Sequence, residues 1–167
     1  DGTPFVSADG RRLYFDSTRD GGDRDLFRAS GEAGQWASPV PLTDVDSPWN
    51  ELNPWLSADE RSLIFTSDRP GGAGLQDLWA STWDGGRFTE PRNLTELNGP
   101  WLDEGATLTR DGLAIFFASN RPGGAGGLDL WVSVRTSADA AFPEPRPLEG
   151  VNGAANELDP ALSPDGR

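Results

Sequence analysis

The chain contains no cysteine, no histidine and no methionine. Without cysteine there is no disulfide and no thiol nucleophile. Without histidine there is no imidazole base, and without both there is no thiolate or imidazole zinc site. Most hydrolase mechanisms go with them. Basic residues are scarce as well: 14 Lys+Arg stand against 27 Asp+Glu, a formal net charge of -13. Such a surface repels phosphate backbones and anionic membranes, which argues against nucleic acid as a partner. Long apolar runs are missing too, so no membrane insertion is expected, and the N-terminus shows no basic-then-apolar leader. The chain does not begin with Met, as expected of a mature form or an excised segment. The lack of cysteine is compatible with both exported and cytosolic settings.

What the chain does have is glycine, proline and aromatic residues in a repeating order. Twenty-one Gly and 14 Pro are spread along the 167 residues, with 8 Phe and 7 Trp. Frequent turn formers between short apolar runs indicate an all-β chain with a packed core. One stretch occurs three times: Ser17-Thr18-Arg19-Asp20-Gly21-Gly22, Ser67-Asp68-Arg69-Pro70-Gly71-Gly72 and Ser119-Asn120-Arg121-Pro122-Gly123-Gly124. Each copy runs on into an Asp-Leu-aromatic strand, Asp25-Leu26-Phe27, Asp77-Leu78-Trp79 or Asp129-Leu130-Trp131. Ahead of it stands a turn cassette, Ser7-Ala8-Asp9-Gly10, Ser57-Ala58-Asp59-Glu60 or Thr109-Arg110-Asp111-Gly112, which returns once more at Ser163-Pro164-Asp165-Gly166. Asp-Gly between apolar runs is a hairpin signal, because Gly accepts the positive φ of a tight turn.

Each repeat therefore reads as four antiparallel strands, A to D, the pattern of a propeller blade. Strand A precedes the turn, and strand B carries Leu13-Tyr14-Phe15, Leu63-Ile64-Phe65 or Ile115-Phe116-Phe117. Strand C follows the glycine-rich loop. Strand D is expected over Trp36 to Leu42, Phe88 to Leu94 and Phe142 to Leu148. Pro39, Pro91 and Pro145 remove ladder donors there, which places strand D at a sheet edge. The units are residues 1–52, 53–105 and 106–157, with 158–167 supplying an extra strand A from Leu158 to Ser163.

Together, the Ser-Pro-Asp-Gly-Arg cassette, the Leu-Tyr-Phe strand, the Arg-Pro-Gly-Gly loop and the Asp-Leu-Trp strand resemble the TolB-like, WD40-related β-propeller repeat. The resemblance covers nearly the whole chain. It implies a ring of six blades and, since related propellers belong to the periplasmic Tol system and other exported bacterial proteins, a periplasmic or secreted location. Three blades alone do not close a ring. The extra C-terminal strand is expected either to begin a fourth blade or to cross to a second chain and complete its first blade, giving a homodimeric six-bladed ring.

Candidate site residues cluster in the connectors between strand D and the next strand A, and in the loops between B and C. Glu51, Glu104 and Glu157 read as equivalent connector positions, preceded by Asn50, Asp103 and Asn156; Arg19, Arg69 and Arg121 are equivalent in the loops. The preferred reading is that Glu and Arg lock blade to blade. The alternative is an acidic collar for a basic peptide or a hard cation. Trp49 and Trp101 follow Pro in the connectors, placed to stack on a sugar or anchor a partner. The Arg-Pro-Gly-Gly loop is no phosphate loop, because a strand and not a helix follows it. Symmetry-related acids lack the split environments that acid–base catalysis requires. No catalytic residue, cofactor or metal is therefore assigned. The leading expectation is a non-catalytic module that binds a protein or peptide partner on the loop face; a carbohydrate-binding propeller and the propeller part of a larger hydrolase are the alternatives.

Overall fold

The computed structural model describes residues 1–32 and 34–163. Among them every regular element is a strand. The first sheet contains β1 (Gly2–Val6), β2 (Arg12–Ser17), β3 (Asp25–Glu32), β4 (Gln35–Trp36) and β5 (Val40–Pro41), with both short strands on the free side of β3. The second contains β6 (Glu51–Leu56), β7 (Ser62–Ser67), β8 (Asp77–Thr82) and β9 (Arg92–Asn93). The third contains β10 (Asp103–Leu108), β11 (Ala114–Ser119), β12 (Asp129–Val134) and β13 (Arg146–Pro147). All ladders within the sheets are antiparallel and neighbours follow chain order, as in propeller blades.

Strand D is shorter than the seven-residue stretches expected. Two residues pair with strand C in the second and third sheets, for instance Arg92 with Ala80 and Asn93 with Trp79, and the first sheet has two such two-residue strands, β4 and β5. Proline without an N–H sits at or beside each of these pairs, in Pro39, Pro41, Pro91, Pro145 and Pro147, and stops the ladder. Residues 158–163 form no strand here, and β1 already fills the strand A place of the first sheet. The last turn cassette, from Pro164 to Arg167, lies outside the described residues.

The core is built between sheets. On β7, Leu63 and Phe65 point one way and Ile64 the other, as the period of a strand demands. Leu63 and Phe65 pack with Tyr14, Leu26, Leu42 and Val45 of the first sheet. Ile64 packs with Leu78, Leu94 and Leu97 against Ile115, Phe117 and Trp131 of the third. Each apolar cluster is thus a junction between neighbouring blades.

The A–B turns are fastened by their own side chains. Ser7, Ser57 and Thr109 donate to Asp9, Asp59 and Asp111 at 2.6–2.7 Å, and these bonds hold the three carboxyls below the usual aspartate range. Glu60 takes the place that glycine holds in the other turns, at φ 55°. Its carboxylate reaches the first sheet, where it pairs with Arg12 and accepts from the Tyr14 hydroxyl at 2.5 Å. Burial, and then this acid, push the Tyr14 hydroxyl up.

Candidate functional site

The loop arginines occupy the same nest three times. In each, the Arg Nε donates to a serine two residues earlier: Arg19 to Ser17 at 3.1 Å, Arg69 to Ser67 at 3.2 Å and Arg121 to Ser119 at 3.0 Å. Each guanidinium lies over the aromatic rings of its own blade. Arg19 covers Phe15 and Phe27, Arg69 covers Phe65 and Trp79, and Arg121 covers Phe117 and Trp131, all within 4.6–5.3 Å of the ring centres. The remaining nitrogen meets an acid: Arg19 to Asp1 at 2.7 Å, Arg69 to Glu51 at 2.9 Å and Arg121 to Asp103 at 2.6 Å. Arg69 and Arg121 also donate to the carbonyls of Val45 and Leu97 in the incoming connector. Each ion pair thus lies within one sheet, and the bonds to Val45 and Leu97 tie that sheet to the connector arriving from the one before.

The geometry corrects the alignment of the connectors. Ser47 N–H donates to Glu51, Gly99 N–H to Asp103 and Gly153 N–H to Glu157, each across four residues. The backbone N–H groups of Glu51, Asp103 and Glu157 donate to the loop carbonyls of Arg24, Gln76 and Leu128. Asp103, not Glu104, is therefore the counterpart of Glu51 and Glu157, and no residue is inserted. Asp1 is the counterpart in the first copy, accepting from Ser17 and Arg19 as Glu51 does from Ser67 and Arg69. Asn50 and Asn156 accept from the N–H groups of Arg24 and Leu128 and so fasten loop to connector. Glu104 faces elsewhere, beside Asp159, and burial and that neighbour push its carboxyl up.

The two connector tryptophans differ. Trp49 is 41% exposed. Trp101 is half-buried, stacked against Arg121 at 5.4 Å and packed over Gly99. In the loops, Gly74 and Gly126 lie against the carbonyls of Trp101 and Ala155, leaving no room for a side chain. Asp77 accepts from the N–H groups of Ala73 and Gly74, and Asp129 from those of Ala125 and Gly126, closing the glycine-rich turns.

The first loop is two residues shorter and lacks these donors for Asp25. Its carboxylate lies with those of Asp46 and Glu51, all within 4.8 Å of one another, the one grouping among the described residues spaced to hold a hard cation. Burial first, then a proton shared with Asp46, push Asp25 up to about 7. At the other junctions Asn98 and Asn152 replace Asp46, each accepting from and donating to the backbone of Leu78 or Leu130 at 2.9 Å.

Asp25 keeps its proton in the folded chain until about pH 7, whereas its unfolded value is 3.8. The resulting stabilisation is complete below the unfolded value and is lost as pH rises towards 7. Asp46→Asn is expected to flatten that decline and, at pH 8, to raise Tm by roughly 2–4 °C through the regained backbone bonds. Thermal melts of both proteins from pH 4 to 8 check this; parallel curves would refute it.

On the inner side, the A strands line a cavity of about 910 Å³. The three A strands bulge at the same place, where Thr3, Asn53 and Gly105 have φ of 24°, 51° and 64°, and Asp159, outside any strand, repeats the conformation at 50°. Left-handed backbone of this kind costs a residue with a Cβ about 1 kcal/mol or more and collects at functional positions. Thr-Pro, Asn-Pro and Asp-Pro dipeptides mark three of the four in the sequence. The side chains converge: Asn53 Nδ2 donates to Asp159 at 3.2 Å, the Asn53 N–H to Thr3 Oγ1 at 3.3 Å, and Thr3 to the buried Asp16.

No protein-family model and no curated protein sequence matches the chain. Solved structures do. TolB from Acinetobacter baumannii superposes at a TM-score of 0.63 with 19% identity, over 99% of this chain and 36% of its own. A putative TolB from Agrobacterium tumefaciens gives 0.59 with 20% identity, over 86% and 45%. The chain has the TolB-like β-propeller fold. At this identity the likeness is one of fold, and the TolB-like chain spans less than half the length of either structure. A prolyl endopeptidase structure overlaps at only 0.49, with 18% identity over 90% of the TolB-like chain and 22% of its own, too loosely to inform function.

Proposed function

We propose that the chain is a non-catalytic binding module, a propeller segment that takes a protein or peptide partner on the face where loops and connectors interleave. One observation carries the reading: on this face the repeated charges are spent internally, while Trp49 and Leu75 stand 41% and 72% exposed. A large exposed apolar side chain among polar neighbours is the usual anchor of a protein interface. The net charge of -13 favours a basic partner. Glu51 and Asp103 are neutralised by arginine in the same way, so these two equivalent acids are not set apart as an acid and a base. Trp49 alone among the connector tryptophans is exposed, which weakens the carbohydrate reading. A bacterial envelope location belongs to the same proposal and rests on the resemblance to exported propellers.

Selection of a phage-displayed random peptide library on the immobilised chain tests the reading. Enriched peptides are expected to be basic with an aromatic or aliphatic anchor. They are expected to lose at least tenfold in affinity for the Trp49→Ala, Leu75→Ala variant. Binding that survives the double variant, or a selection that enriches nothing, would sink the loop-face assignment.

A further inference from the structure

The connectors also carry a chemically labile dipeptide. Two of them hold Asn-Gly at the same place, Asn98-Gly99 and Asn152-Gly153, where the first holds Asp46-Ser47. In Asn-Gly the glycine nitrogen can attack the asparagine Cγ and close a five-membered imide, because glycine has no side chain to obstruct the approach. The two copies share part of their surroundings. Each Asn side chain accepts from and donates to the backbone of a strand C residue, Leu78 or Leu130, at 2.9 Å. Each glycine N–H donates to the acid four residues on, Asp103 at 2.9 Å or Glu157 at 3.1 Å.

The copies differ in cover. Gly99 is buried against the Trp101 ring, and Asn98 makes a third bond, to Asn93 at 3.0 Å. Ala155 and Pro147 stand in the places of Trp101 and Asn93, and Gly153 is only partly buried. Asp103 is neutralised by Arg121, whereas Glu157 forms no ion pair among the described residues. We infer that Asn152 is a self-modification site, converting to aspartate or isoaspartate in the folded chain, and that Asn98 is its protected copy. The Glu157 carboxylate takes the Gly153 N–H proton as that nitrogen attacks Asn152 Cγ, and the Leu130 N–H holds the charge gathering on Oδ1. The proton then passes to the side-chain nitrogen, the bond from that nitrogen to Cγ breaks, and ammonia leaves. Water opens the imide. An acid at position 152 cannot donate to the Leu130 carbonyl, so the last connector takes on the chemistry of the first, where Asp46 lies with Asp25 and Glu51. The product adds a negative charge to the loop face.

The experiment is incubation of the folded chain in neutral buffer, followed by peptide mapping with mass spectrometry that separates aspartate from isoaspartate. Asn152 is expected to convert about tenfold faster than Asn98, the scale of one hydrogen bond in a barrier. In urea, where the cover is lost, the two are expected to convert at similar rates. Trp101→Ala is expected to speed Asn98 and leave Asn152 unchanged; Ala155→Trp supplies the reverse test without removing a core ring, and is expected to slow Asn152. Glu157→Gln is expected to slow Asn152 at least about tenfold in the folded chain and not in urea. Equal rates for the two asparagines in the folded chain, or a faster Asn98, would overturn the inference. So would a folded chain in which Asn152 stays intact while urea converts both, or a Glu157→Gln variant that converts as fast as the parent.

Discussion

Arg121→Ala is expected to destabilise the chain by about 3–5 kcal/mol, the cost of leaving a buried charge without its partner. Asp103 is fully buried and Arg121 nearly so, at 2.6 Å. Removing the guanidinium strands the Asp103 carboxylate with one remaining backbone donor, the Gly99 N–H at 2.9 Å. It also frees the Leu97 carbonyl and strips the cover from Phe117, Trp131 and Trp101. Arg121→Lys is expected to recover only part of the loss. An ammonium cannot reach Ser119, Leu97 and Asp103 from one plane, nor stack as a guanidinium does. Arg19→Ala supplies the contrast, because its partner Asp1 is 69% exposed and pairs of that kind contribute about 0–1 kcal/mol. Urea denaturation of the three variants checks the order. An Arg121→Ala loss no greater than that of Arg19→Ala would show that the repeated nest contributes nothing through burial.

Phe65→Ala is expected to cost a similar amount, about 3–5 kcal/mol, through lost transfer free energy and the cavity left behind. Phe65 is fully buried. It sits between the first two sheets among Tyr14, Leu26, Leu63 and Trp79, with Arg69 above it at 5.0 Å. Walls formed by two separate sheets cannot collapse onto the void without moving a whole blade, so the cavity term is expected in full. Phe65→Leu, which keeps most of the volume, is expected to lose about 1–1.5 kcal/mol. Denaturant midpoints at unchanged slope are the measurement. A loss below about 1.5 kcal/mol for the alanine variant would mean that the junction closes over the gap.

The blade pattern was legible because it rests on local signals written three times: turn cassette, aromatic strand B, glycine loop, Asp-Leu-aromatic strand C. Of the expected Glu–Arg pairs, Glu51 with Arg69 forms, whereas Arg121 takes Asp103. Matching by residue identity pairs Glu104 with Glu51, whereas backbone bonding pairs Asp103 with it, and Asp103 meets Arg121 as Glu51 meets Arg69. Strand D is short because a proline stands at or beside each of its pairs and removes a ladder donor. Contacts that depend on which blade lies next were not legible. Nothing in Ser57-Ala58-Asp59-Glu60 says that Glu60 would reach Arg12 and Tyr14, 48 and 46 residues away. The left-handed bulges left a trace in three dipeptides ending in proline, but a residue before proline ordinarily prefers extended backbone, so the trace points away from the conformation adopted.

Because the apolar clusters lie between sheets, the unit of cohesion in this fold is the junction and not the blade. An open row of blades has one junction fewer than it has blades, and a closed ring has as many junctions as blades. Joining the two ends of such a row would therefore add a whole apolar cluster without adding a single strand. The last blade added to a ring would contribute twice what any earlier one did, which makes closure the most cooperative step in building it.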